Sequence, residues 1–348
     1  MGSSLRTLSL RLTRGAGLSL CLLLVAGCST VPRGFHAGCI QHTEQAVFQE
    51  GSIEPVADTL RIGTYNIQDL TDGEGESYFR TPSVTRRQVE TAAAIITDSK
   101  PDILVIQEIE NAAILKTLNS QIDPPYPLAY ITQFDENGRG TKRNIAILSR
   151  VPLQRVNELD FACRKGPVQT PRGALVFLLE LGQGHYLLGY GVHLKSNMGG
   201  DEARPTNVAK RMEALRMIRE HADLVQRSNP DLVWEVLVAG DMNVDPELEG
   251  FMGDRSLAPL SDWNDLWLGR PLEERITIPA RRGDPDLEFP SACFDRVIVS
   301  PELAAPPWQA GSIEVLQRGV DTENVFTRAG QNEIHASDHF PVFVDLVR

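Results

Sequence analysis

Apolar positions between residues 59 and 348 fall into one local plan that occurs twice. Residues 60–65 read as a strand. Residues 83–99 then place Val89, Ala92, Ala93 and Ile96 on one side of a helix, because positions three and four apart share a helical face. Lys100-Pro101-Asp102 turns the chain into a short apolar strand at 103–106. The plan recurs with a strand at 186–192 and a stripe of Val208, Met212, Leu215, Ile218, Ala222 and Val225 at helical spacing. Asn229-Pro230 breaks that helix, and 236–239 is the next buried strand. Three more strands are expected at 174–181, 297–300 and 341–346. Strands alternating with helices over some 290 residues without a linker predict one α/β domain, of a size suited to sheets packed together with helices outside.

Upstream the pattern changes. Residues 29–58 hold no sustained period and mix Pro, Gly, Gln and His, so they read as a tether, part of which can lie on the domain surface. Before them, Arg6, Arg11 and Arg14 precede an apolar run at 16–26 that is too short for a membrane span. Val25-Ala26-Gly27-Cys28 follows, and small residues before a cysteine resemble the bacterial lipobox, in which that cysteine is lipidated. An ordinary secretory signal cut nearby is the other reading, and both export the protein. The expected organisation is a leader at 1–27, a tether at 28–58 and a domain at 59–348. By the same likeness, Ser29 after the cysteine favours the outer membrane of a Gram-negative envelope.

Composition changes the picture in two ways. With 42% hydrophobic residues the chain can bury a sizeable core, which excludes a disordered tail or a small disulfide scaffold. Its net charge is −12, becoming −15 once the three leader arginines are gone, which excludes a strongly basic nucleic-acid binder. An enzyme acting on phosphates stays allowed, because a bound cation supplies positive charge locally. Among the cysteines, Cys39, Cys163 and Cys293 remain after export; either Cys163 and Cys293 pair or all three stay reduced, and no two have zinc-ligand spacing.

Polar residues fall at strand ends. Asn66, Glu108, His193 and Asp241 each follow an apolar strand, where α/β sheets assemble their sites. Arg172, Asp295 and Asp338-His339 stand before theirs. If those three strands run antiparallel to the first four, all seven positions meet at one edge.

The motifs Thr64-Tyr65-Asn66, Gln107-Glu108, Gly191-Val192-His193-Leu194, Gly240-Asp241-Met242-Asn243, Phe294-Asp295-Arg296 and Ser337-Asp338-His339 occur in this order across the region 59–348. Together they resemble the endonuclease/exonuclease/phosphatase superfamily, which includes DNase-I-like nucleases, sphingomyelinases and inositol phosphatases. The resemblance implies a four-layer α/β sandwich, two mixed sheets face to face with helices outside. It implies a phosphoester hydrolase using Mg2+, with Mn2+ as a possible substitute.

Phosphoester hydrolysis needs a cation on the non-bridging oxygens and a deprotonated water opposite the leaving group. Glu108 is the expected principal metal ligand, with Asn66 and Asp338 completing the site directly or through water. Asp241 is expected to activate the water. Asn243, two residues on and on the same side of an extended segment, is expected to donate to a phosphate oxygen; an Asx turn before Asp245-Pro246 is the structural alternative. His339, partnered by Asp295, is expected to stay protonated and stabilise transition-state charge, with His193 on the phosphate or leaving oxygen. Arg172 matches a phosphate-contacting arginine loosely, with a surface ion pair as the alternative.

Two departures from the family pattern stand out. Gln68 occupies a position where abasic-site endonucleases carry an acid, and Lys142-Arg143-Asn144 replaces the glutamate that partners the first histidine of DNases. His193 is therefore expected to lack its carboxylate. Trp263, Trp267, Arg270, Arg275, Arg281 and Arg282 either line a substrate groove or, as tryptophans in a core and arginines on solvent, only build the fold. The expected function is phosphodiester hydrolysis, foremost of nucleic acid. Phosphomonoesterase or sphingomyelinase-like activity is the alternative, and a non-catalytic envelope lipoprotein the distant one. The expected partners are a phosphoester substrate and the membrane, with the chain a monomer.

Overall fold

The computed structural model describes residues 32–36, 38–42, 46–73, 81–134, 143–280, 290–323 and 329–348. Expectations that concern the leader, Cys28, Ser29, Lys142, Arg281 and Arg282 lie outside these residues.

The first half of the chain builds β1 (Ile40–His42), β2 (Phe48–Gln49), β3 (Thr59–Leu70), α1 (Pro82–Ser99), β4 (Ile103–Ile109), α2 (Ala112–Asn119), β5 (Leu128–Ile131), β6 (Asn144–Ser149), β7 (Arg155–Asp160), β8 (Gly173–Gly182) and β9 (His185–His193). The second half builds α3 (Gly200–Ser228), β10 (Val233–Asp241), β11 (Asn264–Asp265), α4 (Leu272–Arg275), β12 (Asp295–Val299), β13 (Gln309–Val315) and β14 (Val342–Val347). Both strand–helix–strand units and the three further strands expected from the apolar pattern are present.

Among the described residues the strands form two seven-stranded sheets, one ordered β1-β7-β8-β9-β10-β12-β11, the other β13-β14-β3-β4-β6-β5-β2. Between them lies a core that includes Ile62, Val105 and Ile147 from one sheet and Phe177, Leu237 and Ala239 from the other. The outer face of the first sheet packs Val176, Leu188 and Val238 on Leu215, Ile218 and Ala222 of α3. The second packs Leu104 and Ile106 on Ala92 and Ile96 of α1 and Leu115 of α2. Alternate residues of a strand point to opposite faces, so central strands covered on both sides read as continuous apolar runs. The result is the four-layer sandwich.

Direction decides where the polar residues go. β3 and β4 run parallel, as do β9 and β10. β8 is antiparallel to β9, β12 to β10 and β14 to β3. Residues that end the first four strands therefore share an edge with those that open the other three. Gly240 lets β10 come close to β9 there: its φ is +146°, and a Cβ would stand 2.0 Å from the carbonyl oxygen of Val192.

Three expectations change. The stretch read as a tether belongs in part to the body: β1 extends one sheet along β7 and β2 the other along β5, and Phe35 is fully buried. Sheet edges left bare expose unpaired backbone groups, and these short strands cover them. The disulfide joins Cys39 to Cys163, with Cα atoms 5.7 Å apart, while Cys293 is buried and free. β1 brings Cys39 beside the end of β7, a proximity no spacing in the sequence reveals. Finally, the buried face of α3 includes Asn207, Arg211 and His221, whereas Val208 and Met212 are only half-buried.

Candidate active site

Backbone strain marks the site before any side chain is considered. Of the seven described non-glycine residues with positive φ, Lys100 and Gln183 lie in turns elsewhere, and Gln68, Asp69, Glu108, Arg172 and Asn243 lie at the edge where the strand ends meet. The pairing of β3 with β4 shifts between Asn66 and Leu70, and that of β4 with β6 between Gln107 and Ile109. Bulges of this kind re-aim side chains at a sheet's rim, and strained backbone concentrates where chemistry fixes geometry. Here they turn Glu108 toward the neighbouring sheet. It does not cap a helix: α2 starts at Ala112, capped by Asn111.

The two sheets meet through Asn66. Its amide nitrogen donates to Glu108 Oε1 at 3.3 Å and to Asp241 Oδ2 at 3.1 Å, while its oxygen accepts the Gln68 amide at 3.1 Å. Asn66, expected to help complete a metal site, here turns its nitrogen to the two carboxylates and orients both. His193 Nε2 lies 3.6 Å from Glu108 Oε1 and 3.5 Å from Asp241 Oδ2. Burial, reinforced by Arg172 and Arg143, lowers this imidazole well below its usual range, so it is neutral. Its Nδ1 is buried without a hydrogen-bond partner. Where a glutamate was missing from the sequence pattern, Arg143 instead clamps Asp69 at 2.7 Å.

Asp241 is 2% exposed, and burial lifts its carboxyl to about 6 against the pull of His339. The Asn243 backbone amide donates to its Oδ1 at 2.9 Å and the side-chain amide to its Oδ2 at 3.0 Å. Asn243 also donates to the Leu194 carbonyl at 3.2 Å. With φ at +53°, Asn243 is not part of an extended segment. The Asx turn named as the structural alternative is present and brings Asn243 back onto Asp241, where its side-chain amide bonds Asp241 and the Leu194 carbonyl.

His339 Nδ1 meets Asp295 Oδ2 at 2.6 Å. Burial opposes the cation, yet Asp295, with Asp241 and Asp338, holds the imidazole at about 10. Asp295 is itself fixed: its amide donates to Thr277 Oγ1 at 3.0 Å, and its carbonyl accepts the Trp267 indole at 3.1 Å. Thus Trp267 is core and supports the site from beneath. Trp263 is buried too, and Arg275 is held in a buried pair with Asp245 at 2.6 Å. The Arg172 guanidinium donates to the carbonyls of His193 and Leu194 at 3.2 and 3.1 Å, which holds it beside the site.

Several supporting residues carry no signal in the apolar pattern. Ser337 Oγ donates to the Asn66 carbonyl at 2.6 Å and accepts the His339 amide at 3.0 Å. Gln107 donates to Thr64 Oγ1 at 2.9 Å. Ser337, Gln107 and Thr64 sit inside the quoted motifs, but Thr277 and Arg211 lie outside all of them. Arg211, fully buried, bonds Asp254, Ser256, Asn197 and the Lys195 carbonyl, and Asn197 in turn donates to the Asn243 carbonyl at 2.8 Å.

For a divalent cation, the donor chemistry is decisive. Among the described residues no three His, Cys, Asp or Glu side chains gather into a cage. Glu108 is nevertheless a partly open carboxylate, 14% exposed, that burial and the neighbouring Asp69 and Asp338 lift to about 7. Such a group favours a cation over bare negative charge. One carboxylate, with Asp338 nearby at 22% exposure and water for the remainder, fits Mg2+, which keeps several waters and demands few protein oxygens.

A double mixed sheet with Asp241, His193 and the His339–Asp295 pair gathered at one edge fits an α/β-sandwich phosphoester hydrolase. The sequence profile of the Endonuclease/Exonuclease/phosphatase family matches residues 63–339, and the chain belongs to this family. Solved structures share the fold. D. rerio TDP2 complexed with a single-strand DNA product is 16% identical, with 83% of this chain and 99% of that chain covered at a TM-score of 0.54. An endonuclease/exonuclease/phosphatase family protein from Bacteroides thetaiotaomicron is 19% identical, covering 84% and 98% at 0.55. The mannosyl-6-phosphatase of the same organism is 18% identical, covering 83% and 100% at 0.54. Curated protein sequences give no match.

Proposed function

We propose that the protein is an Mg2+-dependent phosphodiesterase whose substrates are nucleic-acid strands. The observation that carries this reading is the opposition of two buried groups at one edge: Asp241, held by Asn66 and Asn243, and His339, tied to Asp295 at 2.6 Å. Burial raises the first to about 6 and Asp295 the second to about 10, which favours a base beside a cation, the pairing that water activation and phosphate stabilisation require. Asp241 takes the proton of the attacking water, its lone pairs aimed by Asn66 and Asn243. His339 Nε2, with Nδ1 tied to Asp295, faces the developing charge. Neutral His193 serves the phosphate or the leaving oxygen. A divalent ion held by Glu108, with Asp338 directly or through water, would withdraw charge from the phosphate when bound.

Export with a lipid anchor at Cys28, in the cell envelope, belongs to the same proposal. The Cys39–Cys163 disulfide supports an oxidising compartment; palmitate labelling of the wild type against Cys28→Ala tests the anchor. The activity is tested with bis(p-nitrophenyl) phosphate, plasmid DNA, RNA, sphingomyelin and phosphomonoesters. Hydrolysis of diesters should require Mg2+ and stop with chelator. Full metal-dependent rates in Asp241→Ala and His339→Ala would overturn the mechanism, and turnover confined to monoesters or sphingomyelin would overturn the substrate class.

A further inference from the structure

Several arginines near the site and on α3 are matched to carboxylates. On α3, Arg211 pairs with Asp254, Arg216 with Glu213 and Glu220, and Arg219 with Asp223 and Asp262. Lys195 and Lys210 are not matched in this way. Among the described residues the Lys195 ammonium reaches Ser196, at 3.2 Å to the carbonyl and 3.0 Å to the hydroxyl, and no carboxylate pairs with either lysine.

Both lysines flank the catalytic end of β9. Lys195 follows His193 by two residues, and its carbonyl accepts Arg211 at 3.0 Å, which places it beside α3. Lys210 precedes Arg211 on that helix, and its own carbonyl accepts Thr170 at 3.2 Å. Two residues after Thr170 comes Arg172, whose guanidinium rests on the carbonyls of His193 and Leu194. Three elements thus bring Arg172, Lys195 and Lys210 around one stretch of backbone next to the site. The crowding is electrostatically real: besides burial, Lys210, Arg172 and Arg211 all depress the Lys195 ammonium. Gathering like charges costs stability, and an anion between them removes that cost.

We infer that Arg172, Lys195 and Lys210 form a second anion subsite that takes a phosphate adjoining the scissile one, so that the site prefers a strand with successive phosphates over an isolated phosphoester. The inference rests on the phosphodiesterase reading and deepens it. An average charge of −12 repels a polyanion at long range, and a local cluster beside the reacting phosphate is where attraction is retained, since charges beyond about 8–10 Å are screened in physiological salt.

The test compares a dinucleoside monophosphate with the same molecule phosphorylated at both ends, using the full-length protein and the Lys195→Gln/Lys210→Gln double variant. With Mg2+, wild-type kcat/KM should be at least about tenfold higher on the phosphorylated substrate, the worth of one charge-assisted contact. The double variant should lose that advantage and keep its rate on the bare dinucleotide within about twofold, well under the tenfold that one such contact is worth. An advantage that survives in the variant, or an equal loss on both substrates, overturns the subsite. Binding without turnover gives the independent arm. In chelator, the phosphorylated dinucleotide should raise the Tm of the wild type and not of the variant. Lysine-dependent binding without cleavage of either substrate keeps the subsite and removes the phosphodiesterase reading. An inositol bisphosphate that gives an equal lysine-dependent shift overturns the preference for a strand.

Discussion

His339 and Asp295 meet at 2.6 Å although 44 residues separate them in the chain. β12 carries the aspartate and the turn before β14 the histidine, so each of the two sheets supplies one partner. The imidazolium exists because of this contact: burial by itself would discharge the ring.

Asp295→Asn should therefore move the alkaline limb of activity. With Asp295 present, His339 stays charged up to about 10; with asparagine the ring should titrate near or below its ordinary value of 6.5. At pH 8, kcat should fall by about 10²–10³, and a pH–rate profile should show the limb displaced downward by more than two units, of order. The same pair stabilises the fold. A histidine raised in the folded state contributes fully below pH 6.5 and loses that contribution as pH rises through about 10, so the Tm gap between wild type and variant should close at high pH.

Asn243→Gly isolates an orienting amide. Glycine accepts the φ of +53° without strain, so the backbone bond to Asp241 survives while the side-chain bonds to Asp241 and to the Leu194 carbonyl are lost. Asp241 should then ionise above its present value of about 6. The acid limb of kcat should shift upward and kcat at pH 7 fall by roughly tenfold, with Tm little changed; an unshifted limb contradicts the orienting role.

Glu108→Gln addresses cation binding. The Mg2+ concentration for half-maximal rate should rise about 10–100-fold, and saturating Mg2+ should recover part of the rate. An unaltered requirement would remove Glu108 from the metal site.

Glu158 lies outside the site and tests the electrostatics of the fold. It is 6% exposed, its Oε1 accepts the Gln133 amide at 2.8 Å, and burial lifts it from 4.5 to about 7. The folded state thus holds this proton more tightly, and stability falls as pH rises from 4.5 through about 7. Glu158→Gln keeps the hydrogen bond without the charge. It should raise stability at pH 8 by about 2 kcal/mol and leave it unchanged near pH 4, as read from urea unfolding at the two values.

Much of this molecule is legible in its residue order. Apolar runs at 103–106 and 236–239 announce central strands because strands covered on both faces must be apolar throughout. The positions of Glu108, His193 and Asp241 at strand ends follow directly, as does the partnership of His339 with Asp295 once the family motifs are seen. The roles of Asn66 and Asn243 are not legible in this way. Which end of an amide faces a carboxylate depends on neighbours from another sheet or on a turn with positive φ, and neither leaves a periodic trace. Arg211 is hidden for a related reason: a stripe of Val208 and Met212 points to one helix face, while buried partners at Asp254 and Ser256 draw a neighbouring, polar face inward.

The sequence by itself determined the central strands and helices, because periodicity of two and of 3.6 is a local property of the chain. It also determined the inventory of acids and imidazoles at the strand ends. Tertiary structure alone decided their charge states and aim: Cys39 found Cys163, Asn66 bridged Glu108 and Asp241 between sheets, and Lys195 came beside Lys210. Those outcomes turn on distances of a few ångströms between residues far apart in sequence, where Coulomb energy and desolvation change steeply, and only packing the two sheets fixes such distances.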